Sequence, residues 1–211
     1  MNGNCKKHDE DKLYQEYIYR AVIEKIKPDF NFEKSESPDF CDNKNDVGME
    51  VTIAEVGNSH SNSMKYAKLQ KGCFRNPEKI IKELSKCGKI TDFGYFQNMF
   101  DINPCNSVCK QLNRKLRKLE QWYNNYKSHW LALSLEVPLF EYTEKVKDVV
   151  MEGNKDKEVC FDKVFVIAIN RVVEIESKTG IYNVIDFTFD EMAACYHRAE
   201  KELMLNCNLQ G

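Results

Sequence analysis

The chain has 211 residues, with 31 Lys and Arg against 33 Asp and Glu and a net charge of −2. That balance excludes a global polycation, so a nucleic-acid partner would need a local basic patch. Hydrophobic residues at 42% and charged ones at 30% fit one soluble, well-buried domain, and no apolar run approaches the ~18 residues of a membrane span.

Residues 1–9 read as a polar tail without the apolar core of a signal peptide, and residues 10–211 as a single domain. From Asp11 to Ile26, Leu13, Tyr14, Tyr17, Ile18, Ala21, Val22 and Ile26 recur at helical spacing, and Pro28 lies just past the end. Residues 30–36 alternate as a short strand would. Residues 37–56 then read as a hairpin, turning around Asn43–Asp46 and returning through VGMEVTIAEV. Helical pattern over 61–84 is broken at Asn76-Pro77, and residues 85–105 read as a loop or small insertion. A strong helix is expected over 106–126, then a buried strand over 129–137, a helix over 140–151 and a second apolar strand over 161–169. Two more strands, VVEIES and YNVIDFTF, precede a last amphipathic helix over 189–206. This order predicts a mixed α/β fold with a central mixed sheet flanked by helices. WLALSLEV and KVFVIAI belong at the centre, covered on both faces.

Nine cysteines lie at positions 5, 41, 73, 87, 105, 109, 160, 195 and 207. None forms a Cys-x-x-Cys pair, so zinc-ribbon and thioredoxin-type spacings are absent, and a reducing, cytoplasmic setting is expected. Cys195, His197 and Cys207 make a loose group near the end, where buried free cysteine is the commoner explanation.

The chemistry concentrates in the hairpin. Side chains alternate along a strand, so Met49, Val51 and Ile53 share one face while Glu50, Thr52 and Ala54 share the other. Asp39 stands across a short turn and can meet Glu50. An isolated carboxylate in a buried strand is costly unless something binds it, and two convergent carboxylates offer oxygen ligands to Mg²⁺ or Mn²⁺. Such an ion can activate water and neutralise charge on a scissile phosphodiester.

Pro38-Asp39, followed by Glu50-Val51-Thr52 on a strand reading GMEVT, resembles the PD-(D/E)XK, or restriction-endonuclease-like, nuclease superfamily. The resemblance covers roughly residues 10–137, with Phe161–Ile169 as a further strand. It implies a restriction-endonuclease-like core and metal-dependent hydrolysis of DNA, or of RNA, with Asp39 and Glu50 as ligands. Thr52 takes the place of the usual lysine. Some members supply that lysine from a neighbouring helix, where Lys115, Lys68 and Lys71 are candidates. An acidic residue on the first helix is also implied; Glu16 is the best match, although a helical wheel does not place it cleanly inward. Glu10-x-Lys12, Asp42-x-Lys44 and Glu176-x-Lys178 also spell acidic-x-Lys, but none combines an upstream proline-aspartate with a surrounding buried strand.

KQLNRKLRK (110–118) holds five basic residues and no acidic one. On a wheel of about 100° per residue, Lys115 falls at the border of the stripe Leu112, Leu116, Leu119, Tyr123 and Tyr126. Lys110, Arg114, Arg117 and Lys118 fall on the outer face. They form either a solvated surface or a phosphate-backbone contact that ignores sequence. His60, just after the hairpin, is a further residue that could meet a ligand. The expectation is a Mg²⁺- or Mn²⁺-dependent nuclease; the alternative is an inactive nuclease fold that binds nucleic acid or protein.

Overall fold

A computed structural model describes residues 3–54, 76–84, 88–90, 96–98, 103–135 and 139–208. Within them, side chains are placed for 12–54, 76, 78–84, 103–135, 139 and 141–205. Helix α1 (Gly3–Ile26) leads into three strands, β1 (Glu33–Lys34), β2 (Phe40–Asp42) and β3 (Val47–Ala54). Helix α2 (Pro77–Leu84) and a small hairpin of β4 (Gly88–Ile90) and β5 (Phe96–Asn98) follow. Then come α3 (Pro104–Leu119), β6 (Ser128–Leu135), α4 (Thr143–Asn154), β7 (Lys163–Ala168), β8 (Arg171–Glu176), β9 (Tyr182–Asp186) and α5 (Phe189–Asn208).

Seven strands form one mixed sheet in the order β1-β2-β3-β6-β7-β8-β9. Strands β3, β6 and β7 run parallel, and the remaining pairs are antiparallel. Their composition explains that centre. Leu131, Leu133 and Leu135 of β6 pack with Val164 and Val166 of β7 beneath α3 and α4. Trp130, Ala132, Phe165 and Ile167 face α1 and α5. A strand covered on both faces needs apolar residues at every position, so the expected mixed α/β fold is the observed one. Among the described residues no helix is long and apolar enough to cross a membrane.

Several boundaries differ from expectation, among them the helix expected over 140–151, which is Thr143–Asn154. Helix α1 reaches back to Gly3, through the stretch read as a polar tail. Residues 5–12 carry no proline or glycine, and a helix that is polar all round shows no periodicity. Helix α3 stops at Leu119 rather than continuing to 126. Gln121 N–H donates to the Lys118 carbonyl at 3.1 Å and Trp122 N–H to Leu119 at 3.0 Å, closing its last turn. Tyr123 begins a 3₁₀ turn and stacks on His129 with ring centroids 4.3 Å apart, so the apolar stripe ends earlier than it reads. Residues 85–105 contain the β4–β5 hairpin and the start of α3, whose Pro104 is preceded by Asn103 accepting from the Cys105 N–H at 3.0 Å.

The early termination of α3 serves β3. Trp122 is 1% exposed, and a Cβ at Gly48 would stand 2.5 Å from its ring. The glycine of GMEVT is therefore required by close approach of an aromatic ring to the strand.

Candidate active site

The β2–β3 hairpin turns through residues 43–46. Asp42 ties the turn by accepting from the Asn45 N–H at 3.0 Å and the Asn45 side-chain amide at 2.9 Å. Lys44 is exposed there, so Asp42-x-Lys44 is turn chemistry. The ladder pairs Phe40 with Met49, and β2 has no residue further up to meet Val51. The Val51 N–H is instead taken by Asp39 Oδ2 at 2.8 Å. A buried N–H must find a partner, and this one draws the Asp39 carboxylate alongside Glu50.

Glu50, Thr52 and Ala54 face α3, while Met49 and Val51 lie in the α1–α5 layer, as strand alternation requires. Glu50 is 0% exposed. Helix α3 supplies its counter-charges. Lys115 Nζ donates to Glu50 Oε2 and, at 3.1 Å, to Asp39 Oδ2. Lys118 Nζ donates to Glu50 Oε1 at 2.9 Å and lies 4.0 Å from Asp39 Oδ1. Two carboxylates thus share two ammonium groups. Burial alone would raise the Asp39 carboxyl, but the Lys115 charge, the Val51 N–H and Lys118 together hold it below the ordinary carboxylate range. Burial opposes the Lys118 charge, yet its bond to Glu50 and the charges of Glu50 and Asp39 hold that ammonium above its ordinary value.

A second cluster adjoins the first. Arg114 Nη2 donates to Thr52 Oγ1 at 2.8 Å and Arg114 Nε to Gln111 Oε1 at 2.8 Å. Glu16, on α1, is 6% exposed and bound to Lys34 at 2.7 Å and Lys12 at 3.4 Å. Glu16, Asp39, Thr52, Arg114, Lys115 and Lys118 all line one open cleft of about 470 Å³.

The structure therefore brings Asp39, Glu50 and Lys115 into contact and sets Thr52 and Glu16 in the cleft that Asp39 and Lys115 line, with Glu50 fully buried. Glu16 bonds lysines of its own rather than the Asp39–Glu50 pair. Lys110 and Arg117 are exposed on the outer face of α3, as expected. Arg114 is exposed as the wheel expects and Lys118 half-buried, yet both side chains reach β3. A wheel reports where Cβ leaves the helix, whereas a stem of three or four carbons can lie along the helix and carry its charge round to a neighbouring strand. Gln111, Arg114, Lys115 and Lys118, spaced i, i+3, i+4 and i+7, form a polar stripe beside the apolar one. That spacing was the available signal for Gln111 and Lys118. Lys68, Lys71 and His60 lie outside the described residues.

Hard carboxylate oxygens are suitable donors for Mg²⁺, which binds through one or two carboxylates and keeps several waters. Asp39 and Glu50 already hold a positive charge between them. Among the described residues no group of three or more His, Cys, Asp and Glu is placed to hold a metal. Cys195 is buried in the α1–α5 layer while His197 is exposed beside Glu200, so these two do not converge; the side chain of Cys207 lies outside the described residues. Comparison with protein-family models, with curated proteins and with solved structures finds no match to this chain.

Proposed function

We propose that the chain is a metal-dependent phosphodiester hydrolase acting on DNA. The convergence of Asp39 and Glu50 on Lys115, with Asp39 and Lys115 lining one cleft, carries this reading. It is the constellation that the resemblance to PD-(D/E)XK nucleases implies, with the lysine moved from strand position 52 to α3. Asp39 and Glu50 would hold Mg²⁺ or Mn²⁺, which when bound supplies Lewis-acid stabilisation of phosphoryl charge and a more acidic water. Lys115 is anchored by both carboxylates, so its ammonium is poised to orient an attacking water or donate to a phosphoryl oxygen. Outward-facing Lys110 and Arg117 give the backbone of a duplex a place to rest.

Cleavage of plasmid and linear DNA is measured with Mg²⁺ or Mn²⁺ for the native chain and for Asp39→Ala, Glu50→Ala and Lys115→Ala, with folding checked by circular dichroism. Metal-dependent cleavage lost in all three supports the reading; cleavage that survives Asp39→Ala and Glu50→Ala sinks it. A second reading, an inactive nuclease fold that binds nucleic acid, is favoured by one observation. Both carboxylates are already neutralised by Lys115 and Lys118. Calorimetry that detects DNA binding but no heat with Mg²⁺ or Mn²⁺ selects it.

A further inference from the structure

Thr52 stands where the resemblance puts a lysine, yet the place next to it is not empty of charge. The Arg114 guanidinium reaches over from α3 and is held along one edge. Its Nε–H meets Gln111 Oε1 at 2.8 Å and its Nη2 meets Thr52 Oγ1 at 2.8 Å. The Thr52 hydroxyl in turn donates to Gln111 Oε1 at 3.4 Å, closing a three-membered ring of side chains. A guanidinium carries five N–H groups in a rigid fork. Two are spent on this edge, and Nη1 makes no bond among the described residues. The terminal Nη1/Nη2 edge is therefore unspent, on a residue that lines the same cleft as Asp39 and Lys115.

An Arg edge of this kind matches two oxygens of one phosphate, as a single ammonium does not. We propose that Arg114 is the clamp for a non-bridging pair of phosphate oxygens on a nucleic-acid strand lying in the cleft. Thr52 and Gln111 are positioning residues that aim it. This rests on the nuclease reading for the identity of the strand. It reassigns position 52 from an agent of catalysis to a support for a cation delivered by α3. Threonine suits that support: its hydroxyl accepts from Arg114 and donates to Gln111 at once, which a lysine could not do.

The test uses a fluorescein-labelled DNA duplex titrated in EDTA at fixed salt, followed by single-turnover cleavage in Mg²⁺. Arg114→Ala should weaken affinity about tenfold, the scale of one charge-assisted contact. Arg114→Lys should fail to restore it, because an ammonium cannot be gripped along one edge and bind bidentately along another. Thr52→Val and Gln111→Leu should each lose part of the affinity, and Thr52→Ser should stay at the native level. In Mg²⁺ the same ranking should appear in the cleavage rate, with heats of Mg²⁺ binding unchanged.

Native affinity in Arg114→Ala, full rescue by Arg114→Lys, or no binding of duplex by the native chain each overturns the clamp. Binding that follows the ranking in a chain that cleaves nothing upholds the clamp and removes the nuclease reading. Cleavage that is indifferent to Arg114 removes the clamp and leaves the nuclease reading standing.

Discussion

The Lys115 ammonium donates to the Glu50 carboxylate from a helix 65 residues further along the chain. Lys115 is 5% exposed and Glu50 0%. A buried ion pair is weak evidence for net stability, but removing one partner is expensive, because the other charge is left buried. Lys115→Met should therefore cost on the order of 3 kcal/mol, the low end for a broken buried pair since Lys118 still faces Glu50. Lys118→Met, with a side chain 40% exposed, should cost about 1 kcal/mol or less. Pairing Lys115→Met with Glu50→Gln should cost less than the sum of the two single changes. Urea denaturation of the four variants checks the order, and equal losses for Lys115→Met and Lys118→Met would show that the pair is not buried as described.

Acid sensitivity should come from two aspartates. At Asp162, burial pushes the carboxyl up, but bonds from the His129 ring, Lys178 and the His129 backbone N–H bring it down to about 2 from 3.8. A carboxylate depressed on folding contributes stability that is full above its unfolded value and lost as pH falls through its folded value. Asp162 should then supply about 2 kcal/mol at neutral pH, disappearing between about pH 4 and pH 2. Asp39, held below its ordinary range, adds to the loss with the same sign. Urea midpoints measured against pH should show this acid slope, and Asp162→Asn should flatten it while lowering neutral stability. A slope unchanged in Asp162→Asn would place the acid-labile groups elsewhere.

Much of the fold was legible because its signals are local. Continuous apolar strands, a proline after α1 and the turn around Asn43–Asp46 each declare an element within a few residues. That Asp39 and Glu50 can meet was legible because strand alternation and a short turn leave few ways to orient them, while Lys115 was one of three candidate lysines, marked only by its place at the border of the helix stripe. The contacts of Lys118 and Arg114 were not legible, since their destination depends on how far a flexible stem bends toward a strand distant in sequence. The end of α3 at Leu119 was hidden for a related reason. Trp122 and Tyr123 keep helical spacing with Leu119, but their packing beneath Gly48 and against His129 is tertiary, and tertiary context overrides a weak local preference.

Gly48 tests that packing directly. A Cβ there would lie 2.5 Å from Trp122 Cζ3, 2.9 Å from Tyr126 Cδ2 and 3.0 Å from Pro38 Cγ. Three obstacles, two on the α3–β6 connection and one ahead of β2, cannot all yield to one side-chain rotation. Gly48→Ala should cost about 1–3 kcal/mol, as overpacking does, and it should perturb the site, because Pro38 adjoins Asp39 and Glu50 follows two residues on. Near-ultraviolet circular dichroism of Trp122 and a thermal melt check this. A variant as stable as the native chain would mean that the ring does not sit against β3.

The outer face of α3 separates two kinds of basic residue. Arg114 and Lys118 are bound to Thr52 and Glu50, whereas the exposed Lys110 and Arg117 make no side-chain bond among the described residues. If the exposed pair meets phosphates along a duplex, each releases condensed counterions and contributes about −0.9 to the slope of log affinity against log salt. Lys110→Ala with Arg117→Ala should therefore flatten that slope by about 2. It should weaken binding equally across sequences and change stability by no more than about 0.5 kcal/mol. Lys115→Ala should instead slow cleavage and leave the slope alone, because its charge is spent on Asp39 and Glu50. Fluorescence anisotropy over a series of salt concentrations distinguishes them. An unchanged slope in the Lys110/Arg117 variant would make that face ordinary solvated surface and leave the cleft as the whole of the nucleic-acid contact.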